Sequence, residues 1–269
     1  MVRISEVAAA MEQIAPTATA AAWDNVGLLV GRESAEVQTI LVALDATDRV
    51  IDEAVRLGAN MLVTHHPLIF KGVTHVTDSD SLGRRLLRLA ETGIAVYAAH
   101  TNLDVADGGT NDALCALLGL ENVQPLIYDD DCALAIGRHG YLPEAMTFSS
   151  LSAHVCNCLG LDGLHCCGDK PTQVIHIAVC AGSGGKYAYA KQVISAGCDV
   201  YITSDIGFHT AQDALADGLY LIDATHYATE APVLRVLRDK LAAALDGRAA
   251  VYVAETDGQV FHTLQGIAQ

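Results

Sequence analysis

Short apolar runs alternate along this chain with segments of helical period, and that alternation confines it to layers of sheet and helix. Candidate strands are Thr39–Leu44, Met61–Thr64, Ala95–Ala99, Val174–Val179, Val200–Thr203, Tyr220–Ile222 and Ala250–Val253. The segments between them predict helices at Asp48–Leu57, Leu82–Glu91, Asn111–Leu118, Leu151–Leu159, Tyr187–Ala196, Thr210–Ala216 and Thr229–Ala244. The fold class expected is α/β.

A weak internal repeat suggests duplication. AVRLGANMLVTHH, starting at Ala54, aligns with QVISAGCDVYITSD, starting at Gln192. Both read as a helix end, a glycine and an apolar strand that closes on threonine. Two related α/β lobes are therefore expected. The polar break Asp129-Asp130-Asp131 places their boundary, so that residues 1–128 with 217–269 form one lobe and 129–216 the other.

The chain carries 32 acidic residues against 16 basic ones, a formal charge of −16. That balance opposes binding to a phosphate backbone or an anionic lipid surface. No apolar run is long enough to span a bilayer, and the N-terminal MVRISEVAAAMEQIAP reads as an amphipathic helix rather than a signal peptide. A cytoplasmic location is expected. The eight cysteines then read as thiols rather than as a disulfide framework. The cluster from His154 to Cys167 has no recognised zinc spacing.

Three strand ends carry the chemistry. His65-His66-Pro67 follows the run Met61–Thr64. Ligands in open α/β sheets gather at the carboxyl ends of strands, and adjacent strand residues point to opposite faces, so this pair suits two different ions. His100 and Asp104 follow the second strand end. Asp223-Ala224-Thr225-His226 follows the third, with Glu230 four residues beyond. At the start of a helix, His226 and Glu230 would share one face.

His65, His66, Asp104, His226 and Glu230 together suit two divalent ions of Fe, Mn, Zn or Ni, leaving positions for water or substrate. Paired ions can make a water acidic enough to act as a nucleophile. The glycine-rich stretch Cys180–Lys186 lacks P-loop spacing and reads equally as a tight turn or as an anion contact.

These segments, in order, resemble the GTP cyclohydrolase I type 2 homologue family, also called Nif-three-like or dinuclear metal centre proteins. The resemblance rests on Trp23–Leu28 (WDNVGL), Thr64–Phe70 (THHPLIF), His100–Gly109 (HTNLDVADGG), Cys180–Gly185 (CAGSGG) and Asp223–Glu230 (DATHYATE). It implies the same five metal ligands, with His100 close to the metals as a catalytic or substrate contact. It also implies two similar α/β lobes with layered sheets and helices, and a ring-shaped homohexamer. This chain departs from the family pattern at Ser204, Gly207 and Thr210, and Thr225 stands where glycine is usual.

Two functions follow. One is a metal-dependent hydrolase of GTP-cyclohydrolase type, acting on a nucleotide or related small molecule, with phosphoester hydrolysis a competitor in the same class. The other is a non-enzymatic metal-handling or regulatory interaction protein.

Overall fold

The computed structural model describes residues 1–168 and 173–261, so the end of the expected first lobe lies outside the described residues. The chain forms two compact units. The first comprises Met1–Gly109, Asp130–Leu134 and Val233–Asp257. In chain order it holds β1 (Val2–Arg3), α1 (Ile4–Ile14), β2 (Gly27–Val30), β3 (Glu36–Val37), β4 (Thr39–Ala43), α2 (Asp48–Leu57), β5 (Met61–Thr64), α3 (Ser81–Thr92), β6 (Ala95–Ala98) and α4 (Thr101–Val105). Later in the chain it adds α10 (Val233–Ala244) and β13 (Ala250–Val253).

The main sheet of this unit runs β13-β4-β5-β6-β2. Its first four strands are parallel and β2 is an antiparallel edge. Every residue of β5 and β6 is buried, as expected of parallel strands covered on both faces. Helix α2 shows how local sequence sets an element. Thr47 caps it by accepting from the Val50 amide, and Gly58 ends it in the left-handed region at φ 68°. Its buried face (Val50, Ile51, Ala54) joins a core with Leu41, Leu62 and Val96. Truncating such a fully buried leucine to alanine costs about 2–5 kcal/mol.

The second unit comprises Thr110–Asp129, Ala135–Pro232 and the described residues from Gly258. It holds α5 (Thr110–Leu118), β7 (Glu121–Leu126), β8 (Gly137–Thr147), α6 (Phe148–Leu159), β9 (His165–Cys167), β10 (Gln173–Val179), α7 (Tyr187–Ser195), β11 (Val200–Thr203), α8 (Phe208–Ala216), β12 (Tyr220–Asp223) and α9 (His226–Glu230). Its sheet runs β7-β8-β10-β11-β12-β9. Strands β10, β11 and β12 are parallel and β9 is antiparallel to β12. Phe148, Leu151 and Val155 of α6 pack against Val174, Ile177 and Val179 of β10.

Both sheets thus contain three consecutive parallel strands, β4-β5-β6 and β10-β11-β12, finished by an antiparallel edge. The repeat seen in the sequence corresponds to α2–Gly58–β5 in one unit and α7–Gly197–β11 in the other, with both glycines at positive φ.

The unit boundaries differ from the expected ones. Tyr220–Asp223 pairs in parallel with Val200–Thr203, so residues 217–232 belong to the second unit rather than the first. Helix α5 and strand β7 also belong there, since β7 pairs with β8. The helix predicted at Thr229–Ala244 is two helices, α9 and α10, parted at Pro232, whose ring nitrogen has no proton to give a helical hydrogen bond.

Candidate metal centre

In the first unit the donors cluster at the carboxyl ends of parallel strands. Asp45 follows β4, His65 and His66 follow β5, and His100 follows β6, with Asp104 within α4 just beyond. The ring nitrogens of His65, His66 and His100 come within 4.8 Å of one another. His65 Nε2 lies 3.5 Å from Asp104 Oδ1.

Each of these rings is held through Nδ1 by an oxygen. His65 Nδ1 meets the Ala99 carbonyl at 2.9 Å, His66 Nδ1 meets Asp45 Oδ1 at 3.0 Å, and His100 Nδ1 meets Asp24 Oδ1 at 3.0 Å. A carbonyl or carboxylate oxygen brings no proton, so in the neutral ring Nδ1 holds it and Nε2 carries the lone pair. Metal-ligating histidines are oriented in this way.

Asp24 also accepts from the amide and hydroxyl of Thr101. Burial works to raise its carboxyl, but the hydrogen bonds from His100 and Thr101 and the His100 charge outweigh it, bringing the group down to about 2. Asn25 donates to the Ile69 carbonyl and so ties the WDNVGL segment to the loop after His66. Trp23 and Phe70, both about half exposed, lie 5.8 Å apart between ring centroids and flank His100.

In the second unit His226 and Glu230 face each other across one turn of α9, with Nε2 3.1 Å from Oε1. That is the shared helix face expected from their spacing. His226 Nδ1 is held by Asp205 Oδ2 at 2.8 Å, from the loop after β11. The Nδ1 pattern of the first unit recurs here, with a carboxylate oxygen on Nδ1 and Nε2 turned toward a second carboxylate, that of Glu230.

The glycine-rich loop after β10 is a tight turn. The amides of Ala181, Gly182, Gly184 and Lys186 are taken by the Asn111 side chain, the Thr229 hydroxyl and the carbonyls of Gly182 and Gly184. These four amides are therefore not turned toward an anion. Gly182, at φ +68°, packs so tightly against α9 that a Cβ there would collide with the Glu230 carboxylate. Thr225, the cap of α9, has φ 62° and ψ 147°, a region that glycine enters and a β-branched residue resists.

The structure thus brings His65, His66, His100 and Asp104 together in one unit, and His226 with Glu230 in the other. The reading of the sequence missed Asp24, Asp45 and Asp205, the carboxylates that hold three of the rings. Asp45 and Asp205 each lie two residues beyond an apolar strand, and the strand-end rule used for the histidines reaches them as well. Among the described residues, no three metal-donor side chains of the His154–Cys167 segment gather. His154 instead meets the Leu118 carbonyl and Cys158. All eight cysteines are thiols, and no described helix is long and apolar enough to cross a membrane.

A mixed α/β chain with histidine and carboxylate donors at its strand ends defines a class of candidate metal-binding proteins, and comparison with known sequences narrows it. Residues 2–259 match the model of Duf34/NIF3 (NGG1p interacting factor 3), and the chain belongs to that family. A Streptomyces coelicolor relative described as a GTP cyclohydrolase 1 type 2 homolog is 39% identical over 86% of this chain and 83% of its own. The Staphylococcus aureus protein SA1388 has the same fold at a TM-score of 0.90, with 28% identity over 97% of this chain and 99% of its own. A Bacillus cereus protein related to NIF3 superposes at a TM-score of 0.91 with 24% identity, covering 98% of this chain and all of its own, a likeness of fold.

Proposed function

We propose that His65, His66, Asp104, His226 and Glu230 bind two divalent ions and that the chain is a metal-dependent hydrolase of a nucleotide or related small molecule. One observation carries this reading: His65, His66 and His226 each have Nδ1 held by an oxygen, the way metal-ligating histidines are oriented. The donor set of nitrogen and oxygen fits Fe, Mn, Zn or Ni. When bound, such a pair of ions supplies Lewis-acid activation of substrate and water.

His100 has the role of holding and passing a proton at Nε2, with Asp24 fixing its ring and balancing its charge. Trp23 and Phe70 beside it offer faces on which a planar heterocycle can stack. That arrangement favours a nucleobase-like substrate. The family resemblance further suggests a homohexamer, which sedimentation velocity tests, and the thiols suit a cytoplasmic setting.

The test is metal content per chain on protein purified without affinity tag or chelator, followed by a nucleotide and phosphoester screen on the same sample. About two transition-metal ions per chain with turnover supports the reading. Two ions without turnover, together with transfer of metal to an acceptor, moves the assignment to a metal-handling protein. No metal, and no uptake when Mn, Fe, Ni or Zn is offered, removes the ligand set.

A further inference from the structure

The second unit contains another meeting of donors, made of residues that take no part above. Strands β8 and β10 pair antiparallel, with Tyr141 opposite His176 and His139 opposite Ala178. His139 and His176 are therefore diagonal neighbours on one face of the sheet, with the small Ala178 opposite His139 and Tyr141 opposite His176. Cys198 sits in the turn before β11. The Asp199 carboxylate pins that turn to β10 by accepting from the amides of Ile175 and His176, each at 2.9 Å.

Three polar atoms converge. His139 Nδ1 is 2.7 Å from His176 Nε2, and Cys198 Sγ is 3.4 Å from the same nitrogen. His176 Nδ1 donates to the Gly197 carbonyl at 3.1 Å, so in the neutral ring Nε2 carries its single lone pair. The Tyr141 ring stacks on His176 at 4.4 Å and fixes its plane. One lone pair thus faces two protonated neighbours, an imidazole N–H and a thiol S–H, and serves only one of them well. A cation at the point of convergence takes the place of both protons.

We propose that His139, His176 and Cys198 form a mononuclear site for a borderline-to-soft divalent ion of the zinc class. One thiolate with two imidazoles is a donor set of that class. Around a tetrahedral zinc ion, bond lengths of ~2.0–2.3 Å place neighbouring ligand atoms roughly 3.3–3.6 Å apart. The sulfur–nitrogen separation is already close to this. The nitrogen pair must open by about half an ångström, and His139, the least buried of the three, is the ring able to yield. Water completes the fourth position. On binding, Cys198 releases its thiol proton to solvent, and His139 shifts its own proton from Nδ1 to Nε2. Burial otherwise pushes the Cys198 thiol up to about 12, so without an ion it stays an inert thiol.

Cobalt(II) is the probe. Thiolate-to-cobalt charge transfer absorbs in the near ultraviolet, and the nitrogen-and-oxygen donors proposed for the paired ions cannot produce it. Titrating Co2+ into the metal-free full chain is expected to give this band, with the intensity of one thiolate-bound ion per chain whatever the paired positions take up, and collapsing when Zn2+ is added. Cys198→Ser is expected to abolish it, His139→Ala to weaken cobalt binding roughly tenfold or more, and Cys158→Ala to leave it unchanged. His139 is only half buried, so its variant keeps the fold and carries the test if Cys198→Ser unfolds. Absence of the band in the unaltered chain, an undiminished band in Cys198→Ser, or unchanged affinity in a folded His139→Ala would each overturn the site.

Discussion

Asp205 Oδ2 lies 2.8 Å from His226 Nδ1, reaching from the end of β11 to the first residue of the helix that follows β12. The carboxylate fixes the ring and makes its far nitrogen a stronger donor. Asp205 is itself at φ 57°, where Asp and Asn are tolerated. Asp205→Asn is therefore expected to keep the fold while weakening metal binding by about tenfold. Competition with a chromophoric chelator measures it.

Removing a ligand should act on metal and spare the fold. His65→Ala and Glu230→Ala are each expected to retain fewer than two ions per chain while far-ultraviolet circular dichroism stays unchanged. Elemental mass spectrometry on the untagged proteins decides this. Two ions in either variant would show that the residue is not a ligand.

A Cβ added at Gly182 would fall on the Glu230 carboxylate, and the φ of +68° already disfavours a side chain there. Gly182→Ala adds a methyl group where there is no room. It is expected to displace Glu230 and to destabilise the protein by at least ~1–2 kcal/mol, with metal binding weakened in parallel. A urea melt read beside metal content separates the two effects. Unchanged values in both would mean that the loop yields freely.

Asp24 makes a pH-dependent contribution. Its folded carboxyl sits near 2, below the ordinary 3.8. The stability it adds is fully present above pH 4 and is lost as pH falls toward 2. Asp24→Asn is expected to lower stability by about 1–2 kcal/mol at neutral pH. Its denaturation curve should converge with that of the unaltered protein across the acid window. A gap that stays constant down to pH 2 would assign the effect to packing rather than charge.

Thr225 holds a backbone conformation suited to glycine. Its hydroxyl accepts from Ala228 at 3.4 Å and from Gln259 at 3.1 Å, which recovers part of the strain. Thr225→Gly removes about 1–3 kcal/mol of strain, loses a few tenths as a cap, and gives the unfolded chain more freedom. A net gain of about 1 kcal/mol is expected from denaturant unfolding. A loss would mean that the two hydroxyl contacts outweigh the strain.

The interior of the fold was legible because β4, β5, β6, β11 and β12 are buried parallel strands and read as unbroken apolar runs. Strands β2, β7, β8 and β9 were not. β7, β8 and β9 mix polar and apolar residues, β8 carries Gly140 and Pro143, which break any simple pattern, and β2 is a four-residue run that opens on a glycine. The histidines and Glu230 stood out because His-rich strand ends and an i,i+4 pair are local signals. Asp24 reaches His100 across 76 positions, and Asp45 and Asp205 each reach their rings across 21. Such contacts exist only once the chain has folded. The unit boundary failed for a related reason: the place of Tyr220–Asp223 is set by a ladder to Val200–Thr203 that no local composition marks.

In each unit the candidate donors sit in the loops and short helices beyond the last ladder hydrogen bonds of three parallel strands, while the cores are built from other side chains. Stability and reactivity are therefore written in different residues. Such a scaffold can exchange its strand-end side chains without first relearning how to fold. That separability makes the chain a ready framework for transplanting one strand-end loop at a time.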